Sequence, residues 1–233
     1  ITSFKSHCGG LIAPESDNNP WHYKISWNPK NIILAGKAGA IFLEDGNEKE
    51  INYQYLFHKT PSLFIPGLEK LSYYPNRNSL SYINTYALDG VTDFVRTTIR
   101  YSTFCSGWDA IIQLQLTDET SMERNENDTI KSWFTKHLSN RNLQALYHNM
   151  LLDPTLKTQL DFIGFDANTM IPVYLDSNAA ILQWILEDKW KLEEADKDMV
   201  VMMHEITYLL NNQIRKIESS LVLKGKNKEE TAM

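Results

Sequence analysis

The residue of this 233-residue chain best suited to chemistry is a cysteine near its beginning. Cys8 precedes Gly9 and Gly10, and glycines let a backbone approach a ligand closely. A thiol has a pKa of about 8.5, which neighbouring cations can shift toward neutrality, so that the thiol can exchange a proton with a substrate or a water. A lone cysteine is also commonly a small buried core residue. Cys8 is therefore a catalytic candidate with a structural alternative.

Arginines form the second group of candidates. Residues 94–101 alternate between β-branched or aromatic and polar side chains, which predicts a strand with Arg96, Thr98 and Arg100 on one face. Arg77 lies in a predicted loop. A guanidinium donates two parallel hydrogen bonds to one carboxylate, so these residues are suited to a carboxylate-bearing substrate. An arbitrary arginine more often forms a surface ion pair, and that alternative applies most to Arg96.

The histidines do not predict a metal site. His204 and Glu205 begin a zinc-protease motif, but Tyr208 stands where the second histidine would be. Adjacent residues of a strand also point to opposite faces. The other histidines are scattered singly, so we expect no metal.

Composition and charge limit the class of protein. Hydrophobic residues make up 42% of the chain, enough for a packed core, and the formal net charge is -6. Phosphate binding needs a basic face, so we expect no nucleic-acid partner. No apolar run has the length of a membrane span, so we expect no membrane partner. Two cysteines without Cys-x-x-Cys spacing fit a reducing compartment, and we expect a cytoplasmic protein.

The positions of these candidates depend on the elements between them. Asn28 suits an N-cap and Pro29 a first helical position, and apolar residues at helical spacing predict a helix that ends at Gly46. Weak alternation over residues 48–55 predicts a strand. Apolar spacing over residues 79–88 then predicts a short helix.

The second half of the chain has clearer patterns. Residues 104–115 have helical spacing, and a helical pattern extends from 128 to about 192. Residues 198–210 and 214–224 alternate and are joined by an Asn-Asn turn, which predicts a β-hairpin.

These elements predict an α+β fold: a mixed, largely antiparallel sheet with helices on one face plus an inserted all-helical subdomain. The predicted division is an α+β domain over 1–125, the helical insertion over 126–194, and a closing hairpin over 195–233. No Gly-x-Gly-x-x-Gly of a dinucleotide-binding strand and helix occurs in the chain. We therefore expect a nucleotide-binding domain to be absent from it.

Several segments, in one order over most of the chain, resemble the glutamate-forming saccharopine dehydrogenases. Residues 8–15 are similar to the family's Cys-Gly-Gly-Leu-Pro-Ala-Pro-Glu, 23–27 to Tyr-Lys-Phe-Ser-Trp, 74–79 to Tyr-Pro-Asn-Arg-Asp-Ser and 96–101 to Arg-Gly-Thr-Leu-Arg-Tyr, and 198–202 and 231–233 also match. Three departures are Ile12 for Pro, Trp21 for Leu and Thr97 for Gly. Thr97 is the one expected to disturb backbone approach to a substrate.

The resemblance implies the substrate-binding and dimerisation part of an enzyme that interconverts saccharopine with glutamate and aminoadipate semialdehyde. It implies NAD or NADP as cofactor, saccharopine as substrate and a homodimer. It places Cys8 at the imine chemistry. It implies substrate contacts at Arg77, Thr98, Ile99 and Arg100. It aligns a segment near the nucleotide with Asn28, Pro29 and Lys30, for which helix initiation is an equal explanation.

Two other functions are compatible with these residues. A related dehydrogenase, such as one that makes carboxynorspermidine, would keep the fold and need fewer carboxylate contacts. A non-catalytic oligomerisation or ligand-binding module is the alternative outside enzymes, since the chain without a nucleotide fold is not expected to transfer hydride.

Overall fold

A nine-stranded sheet built from both ends of the chain is the centre of the fold. The computed structural model describes residues 1–26, 28–68 and 70–232. The strands are β1 Ser3–Ile12, β2 Ala40–Glu44, β3 Asn47–Ile51, β4 Ser62–Leu63, β5 Leu71–Pro75, β6 Arg77–Asn78, β7 Asp93–Tyr101, β8 Asp198–Leu210 and β9 Gln213–Lys224. The helices are α1 Lys30–Ile33, α2 Ser81–Thr85, α3 Ser102–Gln113, α4 Ile130–Asn140, α5 Gln144–Met150, α6 Pro154–Ile163 and α7 Asn178–Lys189.

The sheet is mixed and mostly antiparallel, as predicted. Its main order is β3-β2-β7-β1-β8-β9, and β5 also pairs with β7. Strands β1 and β7 are parallel neighbours, although about ninety residues separate their partner positions in the sequence. A parallel pair needs a long crossover, which here contains β2 to β6 and the short helices α1 and α2.

The hairpin of β8 and β9 confirms the prediction from its alternating pattern and its turn. The two turn residues, Asn211 and Asn212, have φ values of 52° and 58°. Asparagine tolerates this left-handed conformation, which the tight turn of a hairpin requires at both positions. The register therefore follows from the turn, with Leu210 opposite Gln213.

The predicted helix from Asn28 to Gly46 is wrong over most of its length. Helix α1 ends at Ile33, and residues 40–44 form strand β2 instead. Gly36 and Gly39 have φ values of 77° and 65°, outside the helical region, so the chain turns there. The apolar residues after Gly39 then pair with β3, which ends at Ile51, short of the predicted residue 55.

The helices pack against one another around aromatic side chains. The rings of Trp21 and Trp190 lie 5.2 Å apart, and those of Trp108 and Trp190 lie 6.1 Å apart. Helix α3 and the helices after residue 128 therefore share one core, which includes Trp133 and Ile181. The division into domains at 126 and 194 stays a proposal. None of the helices in the described ranges is long and apolar enough to cross a membrane.

Candidate functional site

A cleft of about 550 Å³ lies over the polar face of strands β7 and β1. The parallel pairing places Cys8 directly beside Thr98, and Ser6 beside Arg96. On the other side of β1, the antiparallel pairing places Met202 beside Cys8 and His204 beside Ser6. The cleft is lined by Ser6, Cys8, Gly9, Gly10, Tyr23, Ser26, Asn76, Tyr86, Arg96, Thr97, Thr98, Arg100, Met202 and His204.

The charge of this lining is the distinctive feature of the cleft. Two arginines and a histidine line it, and none of the described residues that line it is an aspartate or a glutamate. The chain as a whole has a net charge of -6, so acidic side chains are abundant elsewhere. Unneutralised arginines in a concave site attract anions, and carboxylates in particular.

Arg100 is held in place by backbone and aromatic groups. Its Nη1 atom donates hydrogen bonds to the carbonyl oxygens of Gly10, at 3.2 Å, and Ile99, at 2.9 Å. Its guanidinium carbon lies 5.6 Å from the ring centre of Tyr23 and 5.7 Å from that of Phe104. The Nε atom is buried and has no hydrogen-bond partner within the described chain. Arg100 is therefore oriented, and it retains donors for a ligand.

Cys8 is an exposed free thiol between the two arginines. Partial burial raises the pKa of the Cys8 thiol, and the charges of Arg100 and Arg96 offset only part of this rise. The sequence allowed the pKa of Cys8 to be lowered toward neutrality. In the structure this pKa is raised instead. Cys8 is a neutral thiol at pH 7, and it is a proton donor in that state.

Gly9 is required by close packing between β1 and β7. A Cβ atom at this position would lie 2.4 Å from the carbonyl oxygen of Ile99 and 2.8 Å from its Cβ atom. Side chains do not approach a backbone oxygen so closely, so only glycine fits here. The Gly9 backbone therefore comes next to the strand that carries Thr98 and Arg100.

Thr97, which stands where the family has glycine, does not fill the cleft with its side chain. Its hydroxyl lies 2.8 Å from Nδ1 of His7, and His7 is fully buried. Burial lowers the pKa of His7, which also lies 3.2 Å from Glu205. Because alternate residues of a strand point to opposite faces, the Thr97 side chain points to the face opposite that of Arg96 and Thr98, although Thr97 is among the residues that line the cleft.

The remaining predicted site residues are placed differently. Arg77 is exposed, has a φ of 54°, and is not among the described residues that line the cleft. The Ile99 side chain is fully buried on the opposite face of the sheet from Arg100. Only the backbone of Ile99 contacts the Arg100 guanidinium, through its carbonyl oxygen. The structure thus brings together Cys8, Thr98 and Arg100.

The residues predicted near the nucleotide form the start of α1. The side-chain oxygen of Asn28 accepts a hydrogen bond from the backbone N–H of Lys30 at 3.0 Å. Pro29 occupies the N-cap position, one residue before the position predicted for it. The Lys30 side chain is exposed, and its ammonium group has no ion-pair partner in the described chain. Trp27 and Met233, which belong to two of the recognised motifs, lie outside the described residues.

Sequence reasoning did not assign Tyr23 or His204 to the site. Tyr23 belongs to a recognised motif, and that position could have indicated a role. His204 and Met202 lie on the same face of an alternating strand, but only the pairing with β1 shows that His204 lies beside Ser6, on the cleft side of the sheet. No cluster of three or more histidine, cysteine, aspartate or glutamate residues in the described parts of the chain could hold a metal ion.

Comparison with known proteins gives a consistent result. The family model described as "Saccharopine dehydrogenase C-terminal domain" matches residues 1–233. A protein of Schizosaccharomyces pombe named saccharopine dehydrogenase [NADP(+), L-glutamate-forming] is 38% identical over 124 residues, which cover 53% of this chain and 27% of that protein. The alpha-aminoadipic semialdehyde synthase of Arabidopsis thaliana is 26% identical over 249 residues, covering 95% of this chain and 23% of that protein.

The fold is also found in a solved structure. Apo saccharopine dehydrogenase (L-Glu forming) from Saccharomyces cerevisiae matches with a TM-score of 0.87 and 23% sequence identity, over 100% of this chain and 55% of that chain. At this identity the likeness concerns the fold alone. The chain spans about a quarter of the length of the two curated relatives described above.

Proposed function

Since this chain belongs to the saccharopine dehydrogenase C-terminal domain family, we propose that it is the substrate-binding part of a saccharopine dehydrogenase. The reaction interconverts saccharopine with glutamate and aminoadipate semialdehyde. The observation that carries the proposal is a cleft whose described lining residues include two arginines and no acidic residue, in a chain of net charge -6. Saccharopine has three carboxylates, which such a cleft is suited to bind.

Arg100 holds one of these carboxylates. Its Nη1 atom donates hydrogen bonds to the carbonyl oxygens of Gly10 and Ile99. These bonds fix the guanidinium, so that its remaining N–H groups point in one direction, toward the substrate carboxylate. The hydroxyl of Thr98 and the backbone at Ile99 assist Arg100 in binding this carboxylate. Arg77 lies outside the lining, and a role for it requires movement of its exposed side chain toward the cleft.

Cys8 works in proton transfer. The thiol holds its proton at neutral pH, and burial raises its pKa further from neutrality, so it donates a proton to the nitrogen that becomes the secondary amine when saccharopine is formed. The resulting thiolate lies near the charges of Arg96 and Arg100, which lower its energy. The reverse reaction returns the proton from the amine to the thiolate.

The cofactor of this proposal is NAD or NADP, bound mainly by residues outside this chain. The relatives from Schizosaccharomyces pombe and Pyricularia oryzae have NADP(+) in their names. When bound, the nicotinamide supplies or accepts a hydride. Within the chain, the exposed ammonium group of Lys30 fits a phosphate, whereas the side-chain oxygen of Asn28 already accepts a backbone hydrogen bond.

Replacing Arg100 with glutamine in the intact protein tests this function. We expect the KM for saccharopine to rise roughly ten- to hundredfold, because a hydrogen bond to a charged group contributes about 1.5–3 kcal/mol. Arg215→Gln, on exposed strand β9, is the control and should leave KM unchanged. Unchanged kinetics in Arg100→Gln, or turnover of carboxynorspermidine in preference to saccharopine, would contradict the proposal.

We also propose a homodimer, supported by the outer hairpin. Strand β9 ends the main strand order, and all its residues are exposed. Ile217, Leu221 and Leu223 share one face of it and are 50%, 52% and 53% exposed. An apolar face on an edge strand is suited to binding a second copy of the chain.

Sedimentation of the intact protein tests the dimer. The wild type is expected to be a dimer, and the double change Ile217→Lys with Leu221→Lys to be monomeric, because two ammonium groups cannot be buried unpaired in an apolar contact. Ser220→Lys, on the other face of β9, is the matched control and should remain dimeric. A monomeric wild type, or a dimeric double variant, would refute this interface.

The compartment is part of the same proposal. Cys8 and Cys105 are free thiols, which suits the cytoplasm. The relative from Bos taurus is named a mitochondrial protein. Imaging of the tagged intact protein distinguishes the two compartments.

A further inference from the structure

We infer that Arg96 and His204 form a second carboxylate subsite in the cleft, at the end away from Arg100. This inference rests on the proposed function, because it concerns how the same cleft binds its substrate. It assigns a binding role to two residues for which the sequence favoured a surface ion pair, at Arg96, and showed an incomplete zinc motif, at His204.

The first argument is the arrangement of the cations. Arg96 and Arg100 lie on the same face of β7, four residues apart, so their Cα atoms are separated by roughly 13 Å. Thr98 lies between them, with Cys8 beside it on β1. Two cationic ends with a proton donor between them match an elongated ligand that has a carboxylate toward each end and an amine in the middle. Saccharopine has this form.

The second argument is that Arg96 is positioned but not neutralised. Its guanidinium carbon lies 4.0 Å from the ring centre of Tyr82, which orients the charged group. Its backbone N–H donates to the Ser79 hydroxyl, and its carbonyl oxygen accepts from the backbone N–H of Asn76. No carboxylate in the described chain forms an ion pair with Arg96. The side-chain donors of Arg96 therefore remain available to a ligand.

The third argument is the neighbour across β1. Ser6 is paired with Arg96 on one side and with His204 on the other, so the three residues form a row across three strands. The His204 ring stacks on Phe4 with 6.1 Å between ring centres. Its Nδ1 atom is buried and has no hydrogen-bond partner in the described chain. A buried, unpaired ring nitrogen in the same row as an arginine without an ion pair in the described chain indicates that a ligand group completes the set.

The subsite makes a specific claim about the ligand. One carboxylate of saccharopine is bound by Arg100 and the carboxylate at the opposite end by Arg96 and His204, while the secondary amine lies over Cys8 and Thr98. A ligand that lacks one terminal carboxylate leaves one of these groups unpaired in the cleft, and it should bind more weakly for that reason.

The test compares ligands and variants of the intact protein by calorimetric titration. The ligands are saccharopine and two derivatives in which the terminal carboxylate of either the glutamate side or the lysine side is a carboxamide. Arg96→Gln and His204→Gln are each expected to weaken saccharopine binding about tenfold. Both variants should bind the same one of the two amides as well as the wild type does. That amide lacks the carboxylate that pairs with this subsite, so the variants lose no further interaction with it. Arg100→Gln should show this behaviour with the other amide.

Controls separate binding from folding. Arg215→Gln should bind like the wild type, and Arg96→Lys, which keeps the charge, should recover part of the lost affinity. The melting temperature of each variant shows whether the fold is retained. If Arg100→Gln weakens binding but Arg96→Gln and His204→Gln do not, the second subsite is wrong and the proposed function stands. If the wild type does not bind saccharopine, both are wrong.

Discussion

Replacing Gly9 with alanine is expected to lower the free energy of unfolding by about 3 kcal/mol or more and to impair substrate binding as well. The new Cβ atom would lie 2.4 Å from the carbonyl oxygen of Ile99, which is backbone and cannot move like the end of a side chain. Strands β1 and β7 must therefore separate at this point. Separation also breaks the hydrogen bond from Arg100 to Gly10, so KM for saccharopine should rise.

Urea unfolding and steady-state kinetics of the intact protein measure the two effects. Cys8→Ser, at the adjacent position, is the stability control because its side chain is exposed and nearly unchanged in size. It should unfold like the wild type while its activity falls. A Gly9→Ala variant with wild-type stability would show that the two strands are not as closely packed as described.

Replacing Lys24 with methionine is expected to cost about 3–5 kcal/mol, because it leaves a mostly buried carboxylate without its partner. Lys24 and Asp196 form an ion pair of 2.6 Å, and their side chains are 5% and 12% exposed. Asp196 also accepts the backbone N–H of Glu193, so it is fixed to the segment before β8. Lys24 follows Tyr23, whose ring lies beside Arg100, and the loss should therefore extend to the site.

The comparison for Lys24 is an exposed pair of the same charges. Lys157 and Asp161 are 54% and 55% exposed, and Lys157→Met should change the stability by less than about 1 kcal/mol. Adding Asp196→Leu to Lys24→Met should recover part of the loss, because it removes the unpaired charge. An equal effect of Lys24→Met and Lys157→Met would contradict the buried pair.

Together these residues connect the motifs to the cleft. The Cys-Gly-Gly segment provides Cys8 and the glycine that lets β1 approach β7, and the Tyr-Lys segment provides an aromatic ring and a buried anchor. Each of these two motifs therefore contributes one residue to the cleft, Cys8 or Tyr23, and one residue to the stability of the fold, Gly9 or Lys24. This division explains why residues beside the candidate thiol have larger expected effects on stability than the thiol itself.

Local patterns predicted the elements whose stability is local. The alternating residues of β7 and of the hairpin are strands, and the apolar spacing after residue 104 is a helix, because each signal repeats within the element that it describes. The motifs and their order likewise identified the family that the model over residues 1–233 matches. The helix predicted through Gly36 and Gly39 was wrong because two left-handed turns interrupt its spacing.

The site depended on contacts between distant segments. Whether Cys8 meets Thr98, and whether His204 faces the cleft, follows from the register of β1 with β7 and β8, where a slip of one residue would turn every side chain to the other face. No local spacing contains that information, since about ninety and two hundred residues separate the partners. The sequence therefore supplied Cys8, Thr98, Arg96 and Arg100 as candidate groups, and strand pairing placed them in one cleft and added His204 to them.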